Sequence, residues 1–323
     1  MDAKEFKDLA ENIVGAISSV YIGNEPVVRK TLAAALVNGN VLFEDYPGLG
    51  KTLLAKAFGR VLGLKYTRVQ FTPDLLPADI LGTKVWRQNL GTFELIKGPV
   101  FTNVLLADEI NRAPPKTQSA LLEAMEERQV TIEGETFSLE RPFFVMATQN
   151  PIEFEGTYPL PEAQLDRFLV RLHVGYPRTE EDELAILEAR LSWGKDDPTT
   201  DLKPVIDRET FIEMQELVEN GVYVSRDVLR YIVNLVRNAR ADSKVEAGPS
   251  PRGAIALMKI AKANALLDGR DFVIPDDVKT LAMDVLAHRV VIKAEYSFEG
   301  VGGEDVIKDA LKKTPVPKGA EYE

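Results

Sequence analysis

In the first half of the chain, short apolar runs alternate with longer segments whose apolar residues recur every three or four positions. "NVLFED" (40–45) is such a run and reads as a buried strand. "LLAKAFGRVLG" (53–63) reads as a helix, with Leu54, Ala57, Phe58 and Val61 on one face and Gly63 past its end. Further strands are predicted at "KYTRVQF" (65–71), "TNVLLADEIN" (102–111), "RPFFVMATQN" (141–150) and "RFLVRLHV" (167–174). A helix at "KTQSALLEAMEER" (116–128) puts Leu121, Leu122 and Met125 on one side. In "VTIEGETFSLERP" (130–142), Val130 and Ile132, then Phe137 and Leu139, alternate around "EGE" and predict a hairpin. Strands and helices in this order predict a mainly parallel sheet with helices on both faces, an α/β fold whose sites lie at the carboxyl ends of the strands.

The second half changes period. Leu229, Ile232, Val233 and Val236 follow helical spacing, as do Ala254, Leu257, Met258 and Ala261, and Val278, Leu281, Ala282 and Val285. "YPRTEED" (176–182) offers Pro177 and a capping box of Thr179 and Asp182. Ser250 and Pro251 suit the first positions of a helix, Gly269 suits its stop, and Pro275 and Asp276 open the next. A domain boundary is expected near residue 178, dividing the chain into 1–178 and 179–323. No internal repeat or low-complexity tract interrupts it, and the last nine residues, "PVPKGAEYE", are expected to fray.

Length and composition agree with two domains and exclude several chemistries. The chain has 323 residues, 45% of them hydrophobic, and no cysteine, which removes disulfides, thiolate metal sites and a cysteine nucleophile. Its two histidines, His173 and His288, rule out a histidine-rich metal site and read as structural. No run of about twenty apolar residues exists and the N-terminus lacks a signal-peptide core, which predicts a cytoplasmic protein without a membrane segment. A net charge of −11 disfavours a protein that grips nucleic-acid backbone.

Four motifs carry chemistry. "EDYPGLGKT" (44–52) follows the first strand and opens the first helix of the α/β part, the context of a phosphate-binding loop, although Asp45 stands where the general G-x-x-x-x-G-K-[ST] pattern has its first glycine. A lone "GKT" is often only a surface turn. Here Gly48 and Gly50 supply a permissive backbone, Lys51 can reach the β- and γ-phosphates of ATP, and the Thr52 hydroxyl can hold Mg²⁺. "VLLADEIN" ends a strand in two adjacent carboxylates. They suit Asp108 as support for the metal and Glu109 as the group that orients and activates water, though a strand end can also be simply solvated. Asn150, ending "MATQN", could hold the attacking water or begin an Asn-Pro turn. Arg167, in "LPEAQLDRF", could be an ordinary ion pair with an aspartate or an arginine finger serving a neighbouring subunit.

Taken in order, the loop, the "DE" pair, the strand-ending Asn, "LDRF" and a helical domain resemble the AAA+ ATPases. The chain is more closely similar to their MoxR subfamily, in which Asp often replaces the first glycine of the loop. "FTPDLLPADILG" (71–82), "KGPVFTNVLLADEINRAPPKTQSALLEAMEE" (97–127), "ATQNP" (147–151) and "YPLPEAQLDRFL" (158–169) also resemble MoxR segments, and the likeness covers essentially the whole chain. It implies a five-stranded parallel-sheet P-loop core with a C-terminal all-helical lid, an insertion in the second helix formed by residues 74–99, and a hairpin at 130–142 before the sensor strand. It implies ATP and Mg²⁺ as ligands. The loop residues Pro47, Gly48, Leu49, Gly50, Lys51, Thr52 and Leu53 would hold the nucleotide, with Tyr21, Ile22 and Gly23 of "VYIGNEPVV" near the adenine. Arg252, in "SPRGA", matches the sensor 2 arginine, which would report the nucleotide to the lid in cis or in trans, and its place next to a helix N-cap also favours a phosphate.

The resemblance further implies a ring, commonly a hexamer, that remodels partner proteins in a chaperone-like way, in metal insertion or complex maturation, often with a von Willebrand factor A domain partner. Hydrolysis would then fall at a subunit interface, with Arg167 supplied in trans and Arg171 as a second candidate from within the fifth strand. Two other functions fit parts of the pattern. A DNA-associated motor shares the core, but its tracking hairpin should be basic, and the tip here is "IEGETF". A nucleotide-dependent assembly switch with low turnover is disfavoured by the intact Glu109. The magnesium-chelatase subunit is a near relative within the remodelling class.

Overall fold

The structure is a computed structural model that describes residues 1–89, 91–151, 156–177 and 179–317. Two N-terminal helices come first, α1 (Ala3–Ser18) and α2 (Glu25–Leu36). They are absent from the expected elements, yet α1 carries the helical stripe Phe6, Ala10, Ile13 and Ile17, all buried, and Asp2 caps it by accepting the Glu5 N–H at 2.8 Å.

Next come β1 (Val41–Glu44), α3 (Lys51–Val61), β2 (Tyr66–Gln70), the short α4 (Pro77–Leu81) and an antiparallel hairpin of β3 (Gly82–Arg87) and β4 (Thr92–Lys97). The hairpin corrects the expectation of an insertion inside a helix. After five residues α4 gives way to strand pairing, and among the described residues no helix resumes before β5 (Val104–Asp108). Then follow α5 (Pro115–Glu127), the hairpin β6 (Gln129–Ile132) and β7 (Glu135–Ser138), β8 (Phe144–Gln149), α6 (Glu162–Leu165) and β9 (Val170–Leu172). In the β6–β7 turn, Glu133 and Gly134 both have positive φ, as a tight two-residue hairpin requires.

Five strands form one parallel sheet in the order β2-β5-β8-β1-β9. Period-2 alternation divides its side chains between two apolar layers. Val41, Phe43, Val104, Leu106, Phe144 and Met146 face the layer shared with α1, α2, α3 and the C-terminal helices. Leu42, Leu105, Ala107, Val145 and Ala147 face the layer with α5. Both faces are thus covered, which explains why the strands read as continuous apolar runs.

The C-terminal part consists of α7 (Glu180–Trp193), α8 (Arg208–Asn220), α9 (Arg226–Arg240), α10 (Pro251–Leu267), α11 (Pro275–Leu286), α12 (Ala294–Phe298) and α13 (Gly303–Lys313). Thr179 and Asp182 do form the capping box of α7, and Ser250 caps α10. The part is not purely helical, because β10 (Val245–Ala247) and β11 (Val291–Ile292) form a two-stranded ribbon. The apolar face of α9 also differs from expectation. Val228, Tyr231, Ile232, Leu235, Val236 and Ala239 are buried, whereas Leu229 and Val233 are 38% and 49% exposed. Two overlapping stripes satisfied the same spacing, and the core selects the one carrying Tyr231 and Ala239. The expected boundary at residue 178 falls outside the described residues. So do 318–323 of the tail, while 315–317 have no regular structure.

His288 is buried, and its Nε2 lies 3.2 Å from the carbonyl oxygen of Phe168. Burial and the adjacent Arg289 hold its pKa well below 6.5. As pH falls through 6.5 the unfolded chain therefore takes up a proton that the folded chain does not, and this group makes folding stability fall as pH drops. Urea midpoints measured between pH 6.5 and about 5.5 should decline more steeply in the wild type than in His288→Gln. Equal slopes would remove the assignment.

Candidate nucleotide site and a separate arginine cluster

The 44–52 loop leaves β1 between β8 and β9 and enters α3 at Lys51. Gly48 and Gly50 are left-handed, with φ of 85° and 75°, and a Cβ on Gly50 would sit 3.1 Å from the Tyr21 ring. Glycine at 50 therefore answers both to backbone conformation and to close approach. The first N–H groups of α3 have no partner inside the helix, and the residues that carry them, Lys51 and Thr52, line a cleft of about 280 Å³. Gly48, Lys51, Thr52, Asp108, Glu109 and Asn150 all line it.

Lys51 is half-buried and donates from Nζ to the Asp45 carbonyl at 2.8 Å. Desolvation lowers its pKa, and the negative charges of Asp45, Asp108 and Glu109 oppose that shift. Asp45, in the first glycine's place, is itself buried. Its carboxylate accepts the backbone N–H of Val174, and that of Gly175 at 3.3 Å. The departure from the general loop pattern thus ties the loop to the chain leaving β9.

Strand register assembles the rest. Gln70 pairs with Asp108 across β2 and β5, and Ala107 with Ala147 across β5 and β8. Thr148 then lies beside the two carboxylates. Its hydroxyl donates to Asp108 Oδ1 at 2.6 Å and accepts the Glu109 N–H at 2.8 Å. Arg68 holds Asp108 Oδ2 through Nη2 at 2.7 Å and Nε at 3.0 Å, and Gln70 donates to Glu109 Oε2 at 2.7 Å. Glu109 has φ 56° and ψ 51°, a left-handed conformation that is costly for a residue with a Cβ and that concentrates at functional sites. Arg68, Gln70 and Thr148 were not anticipated. Arg68 and Gln70 are two apart on β2 and share a face, but only the strand order puts that face against "DE".

Thr52 and Asp108 bring hard oxygen donors to the cleft. Among the described residues no group of three or more His, Cys, Asp or Glu side chains could hold a metal ion. Two protein oxygens completed by phosphate oxygens and water is the donor set that suits Mg²⁺.

A second, larger cleft of about 470 Å³ shares Pro47, Gly48, Leu49 and Gly50 with the first. Tyr21, Ile22, Gly23 and Leu53 line it, opposite Ile186, Leu187 and Trp193 of α7. Tyr21 is buried, and burial followed by the nearby Asp45 charge raises its phenol pKa. A mostly apolar cavity beside a phosphate loop suits a flat heteroaromatic group.

Arg167 and Arg252 lie elsewhere. They line a third cavity of about 230 Å³ with Arg128, Lys259 and Arg289, and it shares no lining residue with the loop cleft. Arg167 Nη1 pairs with Glu126 Oε2 at 2.7 Å, and Arg252 Nη1 with Glu126 Oε1 at 3.0 Å. Asp166, the aspartate beside Arg167 in sequence, instead pairs with the buried Arg289 at 2.6 Å. Burial lowers the pKa of Arg289, and that of Arg128 to about 10 with Arg141 contributing. Arg171 pairs with Glu44 at 3.1 Å within its own sheet.

Residues 40–170 match the family described as ATPase family associated with various cellular activities (AAA), and residues 237–310 match the AAA lid domain. Over 97% of both chains, 48% of residues are identical to those of the uncharacterized protein YeaC of Bacillus subtilis. Chaperone MoxR1 of Mycobacterium tuberculosis is 42% identical, over 95% of this chain and 82% of that protein. A crystal structure of a candidate ATPase from Cytophaga hutchinsonii superposes with a TM-score of 0.89 at 38% identity, covering 98% of this chain and 97% of that one. With a phosphate loop on a five-stranded parallel sheet, a helical lid and these relatives, the chain belongs to the MoxR-type AAA+ ATPases.

Proposed function

We propose that the protein binds ATP with Mg²⁺ and hydrolyses it at interfaces between identical subunits of a ring, a hexamer by analogy with the family. The work is chaperone-like remodelling or maturation of a partner protein in the cytoplasm. A von Willebrand factor A domain protein is the partner class the family suggests. The division into a core of 1–178 and a lid of 179–323 belongs to the same proposal. Among the described residues no helix is long and apolar enough to cross a membrane.

In this reading Lys51 and the first N–H groups of α3 hold the β- and γ-phosphates. Thr52 and Asp108 would hold Mg²⁺. When bound, the ion neutralises charge on the phosphates. Glu109 takes the proton of the attacking water, which Asn150 helps to place. Arg167 and Arg252 approach the nucleotide of the next subunit. The observation that carries the reading is the separation of the arginine cavity from the loop cleft. Within one chain the two arginines are bonded to Glu126 rather than aimed at the loop.

Lys51→Ala tests the nucleotide site. No other residue of the 44–52 loop carries a positive charge, so affinity for MgATP, measured by calorimetry, should fall at least about 100-fold. Unchanged affinity would dismantle the site.

A further inference from the structure

We propose that Glu126 is a positioning residue that sets Arg167 and Arg252 at a fixed spacing, so that they reach a neighbour's nucleotide as a pair. The inference rests on the trans-acting reading above. Glu126 stands in the last turn of α5, and each of its carboxylate oxygens takes one arginine: Oε2 takes Arg167 and Oε1 takes Arg252.

The two arginines come from different parts of the chain. Arg167 follows α6 at the edge of the sheet, and Arg252 is the second residue of α10 in the lid. Among the described residues no backbone hydrogen bond joins the two segments, and Glu126 is the carboxylate their side chains share. The cavity around them is strongly basic, with Arg128, Lys259 and Arg289 in its wall. Two guanidinium groups in such surroundings repel each other, and one carboxylate between them removes that repulsion while fixing their planes.

The backbone on each side of Arg167 is held independently. Arg289 donates from Nη2 to the Asp166 carbonyl at 3.2 Å and the Phe168 carbonyl at 2.6 Å, and from Nη1 to the Leu169 carbonyl at 3.1 Å. A lid residue therefore braces the main chain that carries Arg167, and the Arg167 Nη1 also reaches the Leu122 carbonyl at 3.1 Å. What remains to be set is where the two charged ends sit relative to each other. Glu126 is 33% exposed by side chain, so it can be replaced without opening the core.

A transition state is sensitive to displacements of about 1 Å, which cost on the order of 100-fold in rate. Glu126→Ala and the isosteric Glu126→Gln are the variants. Both should bind MgATP at their own loop as the wild type does. At protein concentrations where sedimentation shows full assembly, kcat should drop roughly 10- to 100-fold with KM within about twofold. Mixing separates positioning from general damage. Glu126→Ala mixed with Lys51→Ala, which keeps its arginines, should regain activity. Mixed with Arg167→Ala, which shares the defect, it should not.

Rescue by both partners, or by neither, would overturn the inference. So would an unchanged kcat, and a raised kcat would make Glu126 a latch that holds the arginines back. If Arg167→Ala itself hydrolyses normally, the trans-acting reading fails. If Arg167→Ala is slow and both Glu126 variants are fast, that reading stands and only this inference falls.

Discussion

Arg167→Ala is expected to slow hydrolysis by about 10³-fold in the assembled protein while MgATP binding stays close to normal. The arginine lies outside the loop cleft, so its removal leaves every group that lines that cleft in place. If it serves a neighbour, the wild-type specific rate should also climb with protein concentration, because a lone subunit lacks a finger. Mixing Arg167→Ala with Lys51→Ala should restore part of the activity, since some interfaces then combine an intact loop with an intact arginine. Two inactive proteins that co-assemble by sedimentation and stay inactive would end the trans assignment.

Glu109→Gln should give a different phenotype of comparable size. The amide keeps the shape of the side chain and its contact with Gln70, but cannot take a proton. Turnover should fall by about 10²- to 10⁴-fold while ATP remains bound, so that ATP rather than ADP is recovered from the isolated complex. Wild-type turnover would remove Glu109 from its role. The same ATP-held variant is the form in which to capture the proposed partner for identification by mass spectrometry.

Much of the nucleotide cleft was readable from local sequence because its parts are local. A strand, two glycines, a lysine and a helix start make the loop without help from the rest of the chain. The two carboxylates of "DE" and the Asn that follows β8 mark strand tips in the same way. What escaped was whatever depended on register. Arg68 and Gln70 matter only because β2 lies beside β5, and Thr148 only because β8 lies on the other side. Glu126 reads as one more acid on an amphipathic helix until Arg167 and Arg252 are placed around it. The misplacement of Leu229 and Val233 on α9 has another cause. Around the buried Ile232 and Val236, which fit either reading, the helix offers apolar residues at both 228/235/239 and 229/233, and tertiary packing decides between them.

The apolar layer beneath the sheet runs without a break from β1 and the N-terminal helices into α8, α9, α10 and α11. Mechanically, this makes one subunit a stiff lever rather than a hinged clamp. Swinging the lid away from the sheet would bare side chains such as Phe211, Leu257 and Val278, at about 1.5–3 kcal/mol for each large one, and would tear Arg289 from the carbonyls it grips. A displacement at the phosphate-binding loop would therefore be passed on whole rather than absorbed within the chain. It would reach the surface bearing Arg167 and Arg252, and in the ring proposed above the softest joint would be the seam between one copy and the next.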